Sequence, residues 1–186
     1  EVCHAVLQDP AFFRFLIRID EEFAAATRVV GCGLCAGPLH VADYPRKPRG
    51  CPAALQAAYS RRSSFTCGRC DRRATSPSVR FAGRRVYLAV VLMLVSPPGS
   101  ASAQALCDQL RIAPVTLKRW RKWWREGFVA TAFWQSVRDR FLPPLAIGQL
   151  PRSLLERFDA ADSMRDRFAQ ALRFLAPLSV SGTLVR

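Results

Sequence analysis

Acidic residues are scarce in this chain. Asp and Glu together number 14 against 28 Lys and Arg, a formal net charge of +14 over 186 residues. Between Asp71 and Asp108 there is no acidic residue at all. Histidine is scarcer still, with His4 and His40 alone. These absences exclude chemistry. Two histidines placed so near the start offer no plausible Ser-His-Asp arrangement, and no G-x-x-x-x-G-K-[ST] phosphate loop occurs. Long hydrophobic runs are also missing. The longest, "VYLAVVLMLV" from Val86 to Val95, is ten residues, whereas a helix needs about 20 to cross a bilayer core. The first residues, "EVCHAVLQDP", carry neither a basic leader nor a cleavage site. The expectation is a soluble protein of the cytoplasm with no membrane partner.

Half of the residues are hydrophobic, so a packed core is affordable and global disorder is not expected. The excess positive charge repels itself and does nothing for folding, which points to a polyanionic partner. Arginine far outnumbers lysine. Its planar fork suits phosphates and guanine edges, which tilts the expectation toward nucleic acid, although a GC-rich genome also enriches arginine.

Seven cysteines are present, an odd number, and a reducing compartment disfavours stable disulfides. Four of them form two pairs. "GCGLC" holds Cys32 and Cys35, and "CGRC" holds Cys67 and Cys70, with 31 residues between the pairs. Two C-x2-C pairs read as a tetrathiolate site for one structural Zn²⁺. A tight turn brings two thiolates onto one ion, and Gly33 and Gly68 permit that turn. The cation and the neighbouring guanidiniums both favour the thiolate form. The other readings are two unrelated pairs of reduced core cysteines, or a redox pair, which would need one pair at a helix N-terminus after a strand. Four sulfurs leave no open coordination position, so a catalytic metal is not expected. Cys51 and His40 are alternative ligands by proximity, with a plain loop residue and a plain strand residue as the simpler readings. Cys107 falls at an apolar helical position and is expected in the core.

The spacer between the pairs contains an expected strand over Pro38 to Tyr44, the stiff basic loop "YPRKPRG", and a short helix around Ala53 to Ala58. From Tyr44 to Arg85 there are 11 basic residues and one acidic one, Asp71. Two prolines hold Arg46, Lys47 and Arg49 extended, at lower entropic cost on binding. Together with Arg72 and Arg73 these are candidate nucleic-acid contacts, with a solvated surface as the simpler alternative.

"SPPGSAS" breaks the chain between two helical stretches. Before it, "GRRVYLAVVLMLV" reads as a buried helix. After it, a short helix over Ala103 to Leu110 precedes a turn, and Pro114 opens a helix to about Glu126 with Gly127 as its stop. Ala113 offers that helix no side-chain cap. Leu117, Trp120 and Trp124 recur at helical spacing and should face the core, with Trp123 undecided. Thr116, Lys118, Arg119 and Lys122 lie away from that stripe, as a helix reading base edges and phosphates in a major groove requires.

"SAQALCDQLRIAPVTLKRWRKWW" resembles the helix-turn-helix of bacterial regulators and transposases. The order of four-cysteine ribbon, apolar helix and this unit resembles the N-terminal DNA-binding region of insertion-sequence transposases, over roughly Gly31 to Gly127. The resemblance implies double-stranded DNA as partner, a nucleoid-associated place in a bacterial cytoplasm, and a separate recombinase or transposase subunit. The catalytic domain of such a transposase needs three spaced carboxylates on two metal ions. Residues 128–186 are too few to hold one, so no enzymatic activity is expected. A protein-interaction adaptor in a nucleoprotein complex, or a stand-alone transcription regulator, are the alternatives.

At the N-terminus "DPAFFRFLIRIDEEFAAATR" reads as a helix with Asp9 as cap and Pro10 in its first turn. Phe12, Leu16, Ile19 and Phe23 form one stripe, which must be covered by the C-terminal part or by a second copy in a homodimer. Beyond Phe128, helical stretches over Ala130 to Phe141, Ser153 to Phe158 and Ser163 to Leu175 are separated by prolines. The expected architecture is mainly α with a small β zinc ribbon, a helical bundle containing a helix-turn-helix. Its parts would be an N-terminal helix (1–28), the four-cysteine ribbon with its basic insertion (29–82), the helix-turn-helix (83–127) and a C-terminal helical segment (128–186).

Overall fold

A computed structural model describes residues 9–46, 53–81, 107–108, 113–158 and 163–180. Lys47, Arg49, Cys51, the apolar stretch over 83–95 and most of the expected helix over 103–110 fall outside them. The described chain is mainly helical with two small antiparallel sheets. No helix among the described residues is long and apolar enough to cross a membrane.

Helix α1 spans Pro10–Val30. It begins where the sequence indicates: Asp9 stands in an extended conformation, its Oδ1 accepts the Ala11 N–H at 2.8 Å, and Pro10 takes the first helical position. It ends at Gly31, whose φ of 78° favours glycine. Phe12, Phe13, Leu16 and Ile19 are fully buried within the single chain. Phe13 enters the core more deeply than Phe23, which is half-buried. The aromatic face of α1 is thus covered by the chain itself and does not call for a second copy. Ion pairs from Arg165 to Asp9 (2.8 Å) and from Arg173 to Glu22 (2.7 Å) fasten α1 to the helix near the C-terminus.

The expected strand over Pro38 to Tyr44 divides. β1 spans Leu39–Val41 and β2 spans Tyr44–Pro45. Between them Asp43 turns its carboxylate onto the Ser64 N–H (3.2 Å), and the Ala42 N–H donates to the Ser64 carbonyl (2.8 Å). This crossover sends the two pieces into different sheets. A 3-10 turn, Ala53–Leu55, leads into the short helix α2 (Gln56–Tyr59), followed by β3 (Arg61–Arg62), β4 (Ser64–Cys67) and β5 (Arg73–Thr75). One sheet has the order β1-β4-β5 and the other pairs β2 with β3, all antiparallel.

Helix α3 spans Pro114–Lys122 and runs directly into a π-helical segment, Trp123–Phe128. Gly127 therefore does not stop the helix; it lies inside the widened turn. A Cβ there would come within 2.6 Å of Trp123 Cδ1, so the glycine makes room for the indole. Trp123 itself is buried, edge-on to Trp124 at 4.8 Å. As expected, Leu117, Trp120, Trp124 and Cys107 are buried, and Ala113 gives α3 no side-chain cap. Of the preceding helix, Cys107 and Asp108 lie within the described residues and are helical. α4 (Ala132–Val137), α5 (Arg152–Leu155) and α6 (Met164–Leu175) follow, with caps from Thr131 and Ser163 on the first and last.

Among the described residues two hydrophobic clusters result. The larger joins α1, α3, the π segment and α4 to α6, and also takes in Leu55, Tyr59, Val79 and Phe81. The smaller consists of Cys32, Leu39, Phe65 and Cys67. A buried polar network connects the chain segments around them. Asp20 accepts the Val79 N–H (2.7 Å), the Ser78 hydroxyl (2.6 Å) and Arg80 Nε (2.7 Å). Arg62 reaches the Ser179 carbonyl at 2.8 Å. Arg62 and Arg80 belong to the basic stretch but are almost wholly buried, so that stretch is not uniformly a surface feature.

Candidate metal centre

Each cysteine pair sits on the same kind of turn. In the first, the Cys32 N–H donates to the Gly37 carbonyl (3.0 Å) and the Ala36 N–H to the Cys32 carbonyl (2.8 Å). In the second, the Cys67 N–H donates to the Arg72 carbonyl (2.9 Å) and the Asp71 N–H to the Cys67 carbonyl (3.1 Å). The residue after each second cysteine turns left-handed, Ala36 with φ 52° and Asp71 with φ 54°. One loop is thus built twice, once before β1 and once between β4 and β5. The β1–β4 ladder places Leu39 opposite Cys67 and brings the two loops face to face.

The four sulfurs meet. Cys32 Sγ lies 3.6 Å from Cys70 Sγ, and Cys35 Sγ lies 3.5 Å from both Cys67 Sγ and Cys70 Sγ. All four fall within 4.8 Å of one another. Sulfurs at the corners of a tetrahedron around Zn²⁺ stand about 3.8 Å apart, so the cluster could hold a metal ion such as zinc. Backbone approach is close here. A Cβ on Gly37 would stand 2.9 Å from Cys67 Sγ and 3.2 Å from Cys35 Sγ, which explains a glycine at this position better than any turn requirement does.

Electrostatics divide the thiols. The N–H groups of Leu34 and Cys35 point at Cys32 and bring its pKa down to about 6. The Arg69 N–H, 3.4 Å from Cys67 Sγ, likewise lowers Cys67. Cys70 receives the Arg72 N–H, but the neighbouring sulfurs of Cys35, Cys67 and Cys32, together with burial, outweigh it and push it up to about 12. Four sulfurs this close cannot all carry charge without a cation, and a divalent ion removes that conflict. His40 is not part of the cluster. It lies on β1, exposed, with its ring against the second loop, where a Cβ on Gly68 would stand 2.6 Å from His40 Nε2.

The other predicted site residues distribute as follows. Arg72 and Arg73 are exposed. Arg73 donates to the Ala42 carbonyl (3.0 Å), and its guanidinium lies 5.7 Å from the Tyr44 ring centre. Arg46 lies 4.5 Å from the same ring centre and donates to the Tyr44 hydroxyl (3.1 Å). On α3, Lys118, Arg119 and Lys122 are exposed and Thr116 is half-buried. Lys122 pairs with Glu126 at 3.5 Å on the surface. Sequence reasoning missed Asp20, Arg62 and Arg80. An acid set beside Ile19 on a strongly apolar helix was the available signal for Asp20. Comparisons with protein-family models, with curated proteins and with solved structures each find no match to this chain.

Proposed function

We propose that this protein is a zinc-stabilised DNA-binding protein, an accessory or truncated transposase-like component of a mobile-element recombination system. The observation that carries the reading is the division of α3. Leu117 and Trp120 are buried, while Lys118, Arg119 and Lys122 face solvent on a helix of low exposed acidity. Such a helix can enter a major groove with Thr116, Lys118 and Arg119 toward base edges and Lys122 toward phosphate. The four-cysteine cluster, read as a zinc ribbon with one closed structural Zn²⁺, holds Arg72 and Arg73 on a fixed frame. Arg46, with Lys47 and Arg49 adjoining it in sequence, then meets backbone.

The test combines metal analysis with binding. The purified chain should carry one zinc per molecule. Affinity for duplex DNA should fall steeply with salt. After a preferred site is selected from random duplex, Arg119→Ala should lose discrimination by about 1–3 kcal/mol at one base position, whereas Arg72→Ala should weaken preferred and random duplexes alike. Equal behaviour of the two variants on both duplexes would overturn this division of labour.

A second reading, an adaptor that binds nucleic acid without reading sequence, draws on Val29, Val30, Leu34 and Val41. All are well exposed, at the end of α1, on the first cysteine loop and on β1. Equal affinity for duplex, single strand and RNA would favour it.

A further inference from the structure

We infer that Tyr44, Arg46 and Arg73 form a built site for one backbone phosphate of nucleic acid, with Tyr44 as its positioning residue. The inference rests on the DNA-binding reading above and goes further, by assigning a single phosphate to a defined trio. Two guanidiniums, one just past β2 and one on β5, converge on one ring. Arg46 follows β2 and lies 4.5 Å from the ring centre; Arg73 opens β5 and lies 5.7 Å from it. Each is also held at a second point, Arg46 by the Tyr44 hydroxyl and Arg73 by the Ala42 carbonyl. Cation–π contact and these hydrogen bonds fix the forks before any ligand arrives, which lowers the entropic cost of capture.

The trio itself brings two guanidinium charges together at one ring. Among the described residues no carboxylate makes an ion pair with Arg73. Asp43, next to Tyr44, has its Oδ1 on the Ser64 N–H, and Asp20 is bonded to Arg80. Across the β2–β3 ladder Tyr44 stands opposite a third arginine, Arg62, buried and bonded to the carbonyls of Ser76 and Ser179. Burial draws Arg62 below the usual arginine value; Tyr44 and Asp20 act against that fall, and the charges of Arg46 and Arg80 add to it. Like charges gathered in this way favour an anion, and the oxygens of one phosphate can be shared between two planar forks.

The site also depends on the cysteine cluster. Arg73 follows Cys70 by three residues, and β5 is held against β4 in a register that begins at Ser64↔Thr75. The second cysteine loop therefore sets where Arg73 meets Tyr44.

The experiment measures affinity for a random-sequence duplex against salt for the metal-loaded chain. Tyr44→Leu removes no charge, so a diffuse basic surface would keep its salt slope. The built site predicts a slope smaller by about 0.9, one phosphate contact. Arg73→Gln, and the double variant Arg46→Gln with Arg73→Gln, should each lose about the same 0.9, because both arginines serve one phosphate. Metal content and thermal melting report whether each variant is folded. Should Tyr44→Leu fail to fold, the comparison of single and double arginine variants decides alone. An unchanged slope in folded Tyr44→Leu, or additive losses in the double variant, overturns the site. Inorganic polyphosphate is the second probe. Binding that depends on Tyr44 with polyphosphate but is absent with duplex keeps the trio as a phosphate site and overturns duplex DNA as its ligand; no binding to either probe overturns both.

Discussion

Gly37 and Gly68 sit on corresponding cysteine loops, yet substitution should treat them differently. At Gly37 an added methyl meets two sulfurs and the Arg69 Cβ at 2.9 Å, all of them fixed by the turns. At Gly68 it meets the ring of His40, the far end of an exposed side chain that can swing away. Gly37→Ala should therefore cost about 1–3 kcal/mol and weaken metal retention in a chelator competition, while Gly68→Ala should be near neutral in both. Asp20 presents a harsher case. Its carboxylate carries three hydrogen bonds and the charge that balances buried Arg80. Asp20→Ala should lower stability by about 3–5 kcal/mol, because a guanidinium is left buried without a counter-charge, and pairing Asp20→Leu with Arg80→Met should recover part of the loss in denaturant unfolding. Neither Gly37 nor Asp20 was legible as critical from sequence. The first depends on how two loops meet, and the second on a partner 60 residues away.

Helices were legible where their ends carry local chemistry. Asp9 and Pro10 announce α1, Ser163 announces α6, and Pro114 announces α3, because cap and first-turn preferences are decided within a few residues. Asp9 adds a pH dependence. The Arg165 hydrogen bond, set against partial burial and aided by the Ala11 N–H, holds its carboxyl below the ordinary value of 3.8. A folded value below the unfolded one means that the contribution is fully present above pH 3.8 and is lost as pH falls through the lowered folded value. Wild type and Asp9→Asn should accordingly differ in melting temperature at pH 6 and converge toward pH 2, a comparison that cancels acid effects common to both chains. The end of α3 was not legible. Gly127 looks like a stop, but a buried indole occupies the space over it and the chain continues as a π turn. The division of the strand over residues 38–44 was equally hidden, because it follows from Ser64, a distant residue that hydrogen-bonds both Ala42 and Asp43.

Across the whole molecule, two cores of unequal size predict unequal responses to metal removal. The helical core holds Phe12, Phe13, Trp124 and Phe168 and owes nothing to the sulfurs. The small cluster consists of two of the four cysteines with Leu39 and Phe65, too little apolar surface to stand alone. Chelation should expose the amides of β1, β4 and β5 to rapid hydrogen exchange while those of α1 and α6 stay protected, and the far-ultraviolet helix signal should largely persist. Uniform loss of protection would show that the two cores unfold as one.

The sequence by itself determined the elements with local signals: the paired cysteines, the capped helices, the tryptophan stripe of α3 and the large positive charge. These depend on spacing and on chemistry within a turn or two. Tertiary structure alone decided which charges remain available. Arg62 and Arg80 look like their neighbours Arg61 and Arg72 in the chain, but they are drawn inside by Asp20 and by the carbonyl of Ser179. Tertiary structure also decided that the phenylalanines of α1 meet helices of their own chain. Burial of a charge or an aromatic face is settled by partners far away in sequence, and only the folded chain brings those partners within reach.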